Sequence, residues 1–308
     1  MTGTAAGGFP CGSEVLDRVA KAAEGLDFVA GCSDRMLEAL SRPGAVAEQW
    51  IEAVIEEDPV VAVRMVQLAN TRFFGMPGYV DSLRDAICVV GPQAVRSAAA
   101  CLLPVVGTGV GGELVVGSRP YDVRRYSVTV ACACRAIAQR RCCELTETAY
   151  LTGLVHEIGV YVLHTLYPRA YGKVLSDCPT HVLLDEYERV CVGVDHAEVG
   201  ALVLERLRFP RAIVAAVGAH HASDAGGRED EPGGILSVVL RLAIECGRLL
   251  CSDRAGGGLR EIRAAAARLF DLSAEEVEEV LTESRWTDGT TSGSCGVSER
   301  RAEVTVPP

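Results

Sequence analysis

The sequence predicts an all-α protein organised as a two-part helical bundle. Three observations carry that expectation. Ala, Leu, Glu and Arg, all good helix formers, recur throughout, whereas alternating β-branched and aromatic runs are scarce. Apolar residues fall at helical spacing in successive segments, and several segments begin with a side chain suited to capping a helix. A glycine-rich stretch over residues 107–120 divides this pattern into two halves. With 49% of its 308 residues apolar, the chain has material for a large core.

Residues 1–25 read as a flexible, Gly- and Ala-rich N-terminal tail leading into the first helix. From Asp34 to Ile55 the apolar positions Met36, Leu37, Leu40, Val46 and Trp50 predict helices broken at Pro43–Gly44. Asp58–Pro59 then starts a helix with a capping carboxylate followed by proline, whose missing N–H costs nothing at a first helical position. That helix carries Val60, Val61, Met65 and Leu68 and ends in a turn between Asn70 and Gly78. Ser82 to Asp85 opens another helix, through Ala86, Ile87, Val89 and Val90, which Gly91–Pro92 stops. A third begins there and runs through Val95 and Ala98 to Leu102.

The second half opens with a helix over Tyr121–Arg141, striped by Val123, Val130, Cys134 and Ile137. Further helices are expected at Glu147–Leu166, Leu183–Val192, His196–Leu207 and Arg211–His221. Asp195 and Glu198 form a capping box at the entry to the His196 helix. After a polar loop from Asp224 to Gly234 come apolar helices at Ile235–Leu250 and Leu259–Phe270. Ser273 with Glu276 caps a last acidic helix, and residues 286–308, rich in Thr, Ser and Gly, read as a disordered tail. No internal repeat is present.

Composition excludes several classes of function. A formal charge of −11 argues against general nucleic-acid binding and against docking on an anionic membrane, since both need clustered Lys and Arg. The most apolar stretch, Arg96 to Glu113, contains Pro104 and several glycines and is shorter than the roughly 20 residues of a membrane span. The N-terminus has neither a basic region nor a long apolar run, so no signal peptide is expected. The thirteen cysteines lack the spacing of zinc ribbons, as Cys132 with Cys134 and Cys142 with Cys143 illustrate. They read as reduced, half-buried core thiols.

The run Gly107-Thr-Gly109-Val-Gly-Gly112 matches the dinucleotide fingerprint GxGxxG. No strand-helix-strand pattern surrounds it and no Gly-Lys-Ser or Gly-Lys-Thr follows to make it a phosphate loop, so it reads as a linker. The histidines are more informative. There are six, and none precedes His156. His164 and His181 read as ordinary core or surface residues. His156, His196 and the His220–His221 pair lie at helix ends, inside the phrases Gly153-Leu-Val-His-Glu-Ile-Gly159, Asp195-His-Ala-Glu-Val-Gly-Ala201 and Ala219-His-His221.

These phrases resemble the HDOD family, relatives of the HD-type metal phosphohydrolases. Asp58–Pro59 through Leu68-Ala-Asn70, then Phe74–Gly75, Ser82 to Ala86–Ile87, and Gly91 resemble the family's N-terminal helical signature in the right order. The resemblance covers roughly residues 30–225. It implies an HD-domain-like fold with an HDOD domain over 26–225, made of an N-terminal helical part 26–106, the linker 107–120 and an HD-like part 121–225. Residues 226–285 then form a C-terminal helical extension. A bacterial, cytoplasmic, regulatory protein is implied.

HD-type enzymes hold a divalent metal with an upstream His, an adjacent His-Asp pair and a distant Asp, so that the ion acidifies a water and polarises a phosphoryl oxygen. By resemblance, His156 takes the place of the His of the pair and Glu157 that of its Asp. Tyr126 stands at the upstream His position, and a phenol with an ordinary pKa near 10 is a poor ligand. The distant Asp position falls near Ile244, beside Glu245. The metal site thus reads as degenerate, with no cofactor and no catalytic residue expected. His156, Glu157, His196, His220, His221 and Tyr126 would line a vestigial or ligand-binding pocket.

Three readings stay open at this stage. The first is a non-catalytic signalling protein acting through a protein partner. The second is a metal-dependent phosphohydrolase or phosphodiesterase, with a divalent ion on His156, Glu157, His196 and His220. The third is a binding protein for a nucleotide second messenger, whose phosphates the histidines and a nearby Arg would contact.

Overall fold

The structure, a computed structural model, describes residues 9–10, 12–25, 44–71, 79–91, 95, 114–116, 119–222, 232–251 and 258–285. The run Gly107–Gly112, most of the helix expected from Gly91 to Leu102, and the tail 286–308 lie outside the described residues.

Helices dominate, and local sequence explains their ends. α1 covers Gly12–Gly25, α2 Gly44–Glu57, α3 Pro59–Ala69 and α4 Leu83–Val90. The Asp58 carboxylate accepts from the Val60 and Val61 amides at 3.0 and 3.2 Å, satisfying two N–H groups that the first turn of α3 leaves bare. Ser82 does the same for the Asp85 amide at the start of α4, which Gly91 ends at a φ of 80°. Asn70 ties the two helices together: its amide donates to the Val80 carbonyl and its oxygen accepts from the Val80 N–H.

Of the flexible tail expected over residues 1–25, residues 12–25 are instead the helix α1, and residues 1–8 lie outside the described residues. Val15 and Val19 face inward and are fully buried, as is Phe9, and α1 packs against the helix that begins at His196. Burying one such valine contributes about 1.5–3 kcal/mol, enough to hold a Gly- and Ala-rich segment in place. The linker 107–120 is also corrected in part. Leu114–Val116 (β1) pairs antiparallel with Arg119–Tyr121 (β2), and the other elements among the described residues are helical.

The second half is built on α5, Val123–Arg141, which packs along α6, Thr146–Val155, and along α12, Pro232–Cys251. Gly153 permits the first of these contacts, because a Cβ there would lie 2.7 Å from the Ala131 Cα. α3 and α4 lie on α6, which joins the first half to the second. The continuous helix expected over Glu147–Leu166 is instead two, α6 and α7 (Ile158–Leu166), because the helix breaks at His156–Glu157. α8, Pro168–Asp177, was not anticipated from the sequence; proline at its first position and the buried Tyr171, Val174 and Leu175 account for it. Then come α9 (Leu184–Cys191), α10 (His196–Arg206) and α11 (Arg211–Gly218), with α10 packed between α7 and α11.

Residues 226–285 contain α12, α13 (Leu259–Phe270) and α14 (Ala274–Glu283). α14 docks on α5 through Arg140, which bonds Glu279 and Glu283, and Arg141, which bonds Glu276 and the Phe270 and Asp271 carbonyls. Among the described residues no disulfide joins the cysteines, and no helix is long and apolar enough to cross a membrane.

Candidate functional site

Four histidines from three separate segments meet between α5, α7, α10 and α12. His156 and Glu157 occupy the two-residue break between α6 and α7, where leaving the helix turns both side chains inward. His196 is the first residue of α10, set by the capping box in which Asp195 accepts from the Glu198 amide and Glu198 accepts from the Asp195 amide. His220 and His221 lie in the turn that follows α11. The ring centroids are 5.4 Å apart for His156 and His220, 5.3 Å for His196 and His220, and 4.7 Å for His196 and His221.

The outer ring nitrogens of three imidazoles are tethered. His156 Nδ1 lies 2.7 Å from the Gly153 carbonyl, and His220 Nδ1 lies 2.6 Å from the Val217 carbonyl. A carbonyl only accepts, so each Nδ1 carries the proton and each Nε2 is left with its lone pair. His196 Nδ1 donates to Glu188 Oε2 at 2.6 Å, and the same oxygen accepts from the His196 amide at 2.8 Å. The Tyr171 hydroxyl donates to the other Glu188 oxygen. Glu188 is thus a fully buried carboxylate whose two oxygens are both satisfied, and it fixes the His196 ring.

The inner nitrogens face one another. His196 Nε2 and His221 Nε2 are 2.8 Å apart. Glu157 reaches toward His156 Nε2 at 3.5 Å with one oxygen and toward His196 Nε2 at 3.6 Å with the other. His156 Nε2, His220 Nε2 and Glu157 Oε2 are buried without a hydrogen-bond partner.

Charge around the cluster is uneven. Burial alone would lower the His196 pKa, yet the carboxylates of Glu188 and Glu157, the Glu188 hydrogen bond and Asp195 outweigh it and push it up to about 10. Burial, then the charges of His196, Arg248, His156 and Arg189, push His221 down to about 2. Burial also lowers His156 and, with the neighbouring histidines, takes His220 well below the usual imidazole range. One cationic imidazole is therefore surrounded by three neutral ones.

The six residues expected to line a pocket lie in this cluster or at its wall. Tyr126, on α5, is buried with its ring centroid 5.6 Å from that of His156, and burial raises its phenol further still. It cannot serve as the anionic or imidazole donor an HD-type site needs at that place. Ile244 is buried on α12, whereas Glu245 beside it is exposed and paired with Arg248 at 2.6 Å. At the two positions matched by resemblance to HD-type ligands the structure thus has a buried phenol and an alkyl side chain. His164 lies on α7 and is not among the convergent rings; His181 falls in a short 3-10 turn.

Sequence reasoning missed Glu188 and Tyr171, which hold His196. It also missed Asp185 and Arg189, which form the outer rim. Arg189 bonds Asp185 at 3.0 Å and Asp195 at 2.5 Å, and His221 Nδ1 lies 4.0 Å from Asp185. Two arginines place charge near the histidines: Arg248, which acts on His156, His221 and Tyr126, and Arg189, which acts on His221. The only sequence signal for Glu188 is an acidic residue eight positions before His196, which is too common to be read.

Comparison with known proteins adds the following. The family model for the HDOD domain matches residues 28–223. The MmoQ response regulator from Methylococcus capsulatus superposes with a TM-score of 0.62 at 22% identity, covering 86% of this chain and 95% of its own. A virulence factor from Campylobacter jejuni superposes with a TM-score of 0.60 at 13% identity, covering 89% and 98%. Both likenesses concern the fold. An uncharacterized protein of Treponema pallidum is 24% identical over 234 residues, or 71% of this chain; the alignment spans 42% of that relative's length.

Proposed function

The chain belongs to the HDOD domain family, and from that premise we propose that it is a regulatory component of a bacterial signalling pathway, acting by binding and not by turnover. The observation that carries this reading is the closure of the histidine cluster. His156, Glu157, His196 and His220 are each at most 5% exposed, and the rings contact one another in the space where a phosphoester would have to sit. A hydrolytic metal needs an open coordination position and room for its substrate.

The donor set supports the same reading. Tyr126 and Ile244 stand where an HD-type site has an upstream His and a distant Asp, and neither ligates. The response-regulator name of MmoQ is in keeping with a signalling role. The charge of −11 disfavours nucleic acid as the target, so the partner is a protein that meets a helical surface. A nucleotide second messenger is the alternative ligand, and it would need the cluster to open.

The test is a turnover screen. Wild-type protein and a His156→Ala/His196→Ala double variant are incubated with a generic aryl phosphodiester and with cyclic dinucleotides, in Mn, Fe, Ni and Zn. Equal background rates are expected for the two proteins. A metal-dependent rate that the double variant loses would replace this reading with a phosphohydrolase.

A further inference from the structure

We propose that the cavity between α5 and the C-terminal helices α12, α13 and α14 is a binding site for a small amphipathic anion, an organic acid with an apolar body and one negatively charged head. The cavity shares no lining residue with the histidine cluster, and three of its four helices lie beyond residues 28–223, the span of the HDOD match. The site goes beyond the reading above and does not rest on it, since either result of the turnover screen leaves it standing.

The cavity has a volume of about 520 Å³, within the roughly 300–1,000 Å³ of small-molecule pockets. Its apolar part comes from Leu249 and Leu250 at the end of α12, Leu259 at the start of α13 and Leu281 on α14. The first three of these leucines are only half-buried, so alkyl surface is left facing water, and covering it is favourable. The hydroxyls in the lining are already used. Thr129 donates to the Arg125 carbonyl at 2.8 Å, and Thr282 donates to the Glu278 carbonyl at 2.8 Å. A ligand body rich in hydrogen-bonding groups would find these donors spent, whereas a hydrocarbon body needs none.

Charge selects the head group. Arg125 and Arg285 line the cavity and are exposed, and among the described residues neither guanidinium has an ion pair. Glu278, the acidic residue of the lining, is already taken up by Arg263 at 2.5 Å. In a chain with a formal charge of −11, two unbalanced arginines at one cavity are a local reversal of sign. A guanidinium meets an acidic head through charge-assisted hydrogen bonds, which an ammonium or a neutral group cannot replace. An uncharged apolar ligand would take water from both cations and give nothing back, and inorganic phosphate would leave the leucines wet. A ligand with both parts satisfies both parts of the lining.

The experiment uses the full-length protein and two probes. Anilinonaphthalene sulfonate, an aromatic body with an anionic head, is read by its fluorescence, and octanoate is read by displacement of that dye. Saturable binding of the dye is expected, with octanoate displacing it at concentrations at least about tenfold below those that acetate or octanol requires. Arg125→Gln and Arg285→Gln should each weaken octanoate by about tenfold at unchanged helical circular dichroism, while Arg84→Gln, on α4, binds as wild type. Octanoate should also raise the melting temperature of the wild-type protein and leave that of the double arginine variant where it was. No saturable binding of the dye, equal displacement by octanol and octanoate, or undiminished affinity in both arginine variants would overturn the proposal.

Discussion

Residue 159 has no room for a side chain: a Cβ on Gly159 would lie 2.0 Å from the carbonyl oxygen of His196 and 2.9 Å from the Gly200 amide nitrogen. The first turns of α7 and α10 touch backbone to backbone. That contact sets how far His196 stands from Glu157 across the pocket. Both obstructing atoms belong to the main chain, so no rotamer change relieves them.

Gly159→Ala should therefore force α7 and α10 apart. Overpacking of this kind costs about 2–3 kcal/mol. The urea midpoint of the variant should drop accordingly. A midpoint within error of wild type would mean that the two helices slide past each other without penalty.

Tyr171→Phe tests the brace behind His196. The hydroxyl is the donor to one oxygen of the buried Glu188, whose other oxygen is already used by His196. Removing it leaves a buried acceptor unsatisfied, at about 1–3 kcal/mol. A denaturation curve that superposes on wild type would show that Glu188 does not need this partner.

Much of the fold was legible because it is local. Asp58–Pro59, Asp195 with Glu198, and Ser273 with Glu276 each signal a helix start within four residues, and each caps the helix expected. What could not be read depends on contacts distant in the chain. The His156–Glu157 break falls between two apolar segments that share a helical spacing, so only packing against α10 reveals it. Glu188 reads as one more acidic residue of a surface helix, alongside Asp185 and Glu186, until the fold buries it beneath His196. α1 was hidden by its Gly and Ala content, because Val15 and Val19 are too few to outline a helical face without the surface they meet.

Asn70→Ala should be among the more costly single changes in the first half. The Asn70 side chain is fully buried, and it satisfies both the N–H and the carbonyl of Val80 across the loop between α3 and α4. Truncation strands two main-chain groups, at about 2–4 kcal/mol in total. Thermal melting of the variant measures this; Asn70→Asp, which keeps the acceptor for the Val80 N–H, should recover part of the loss.

Acid should loosen the C-terminal helix before the core. The Glu276 carboxyl is held below its ordinary value of 4.5 by its hydrogen bond with the Ser273 amide, against a smaller desolvation effect, and then by Arg141. Because the folded pKa is the lower one, the stabilisation is fully present above the ordinary value and is lost as the pH falls through the folded one. Glu276→Gln should thus melt below wild type at neutral pH, and the two curves should converge as the medium becomes more acidic than the ordinary carboxyl range. Added salt should narrow the neutral-pH gap through the exposed Arg141 pair, but not through the capping bond to Ser273. A gap that stays constant from neutral to acid pH would mean that the Glu276 charge plays no part in docking α14 on α5.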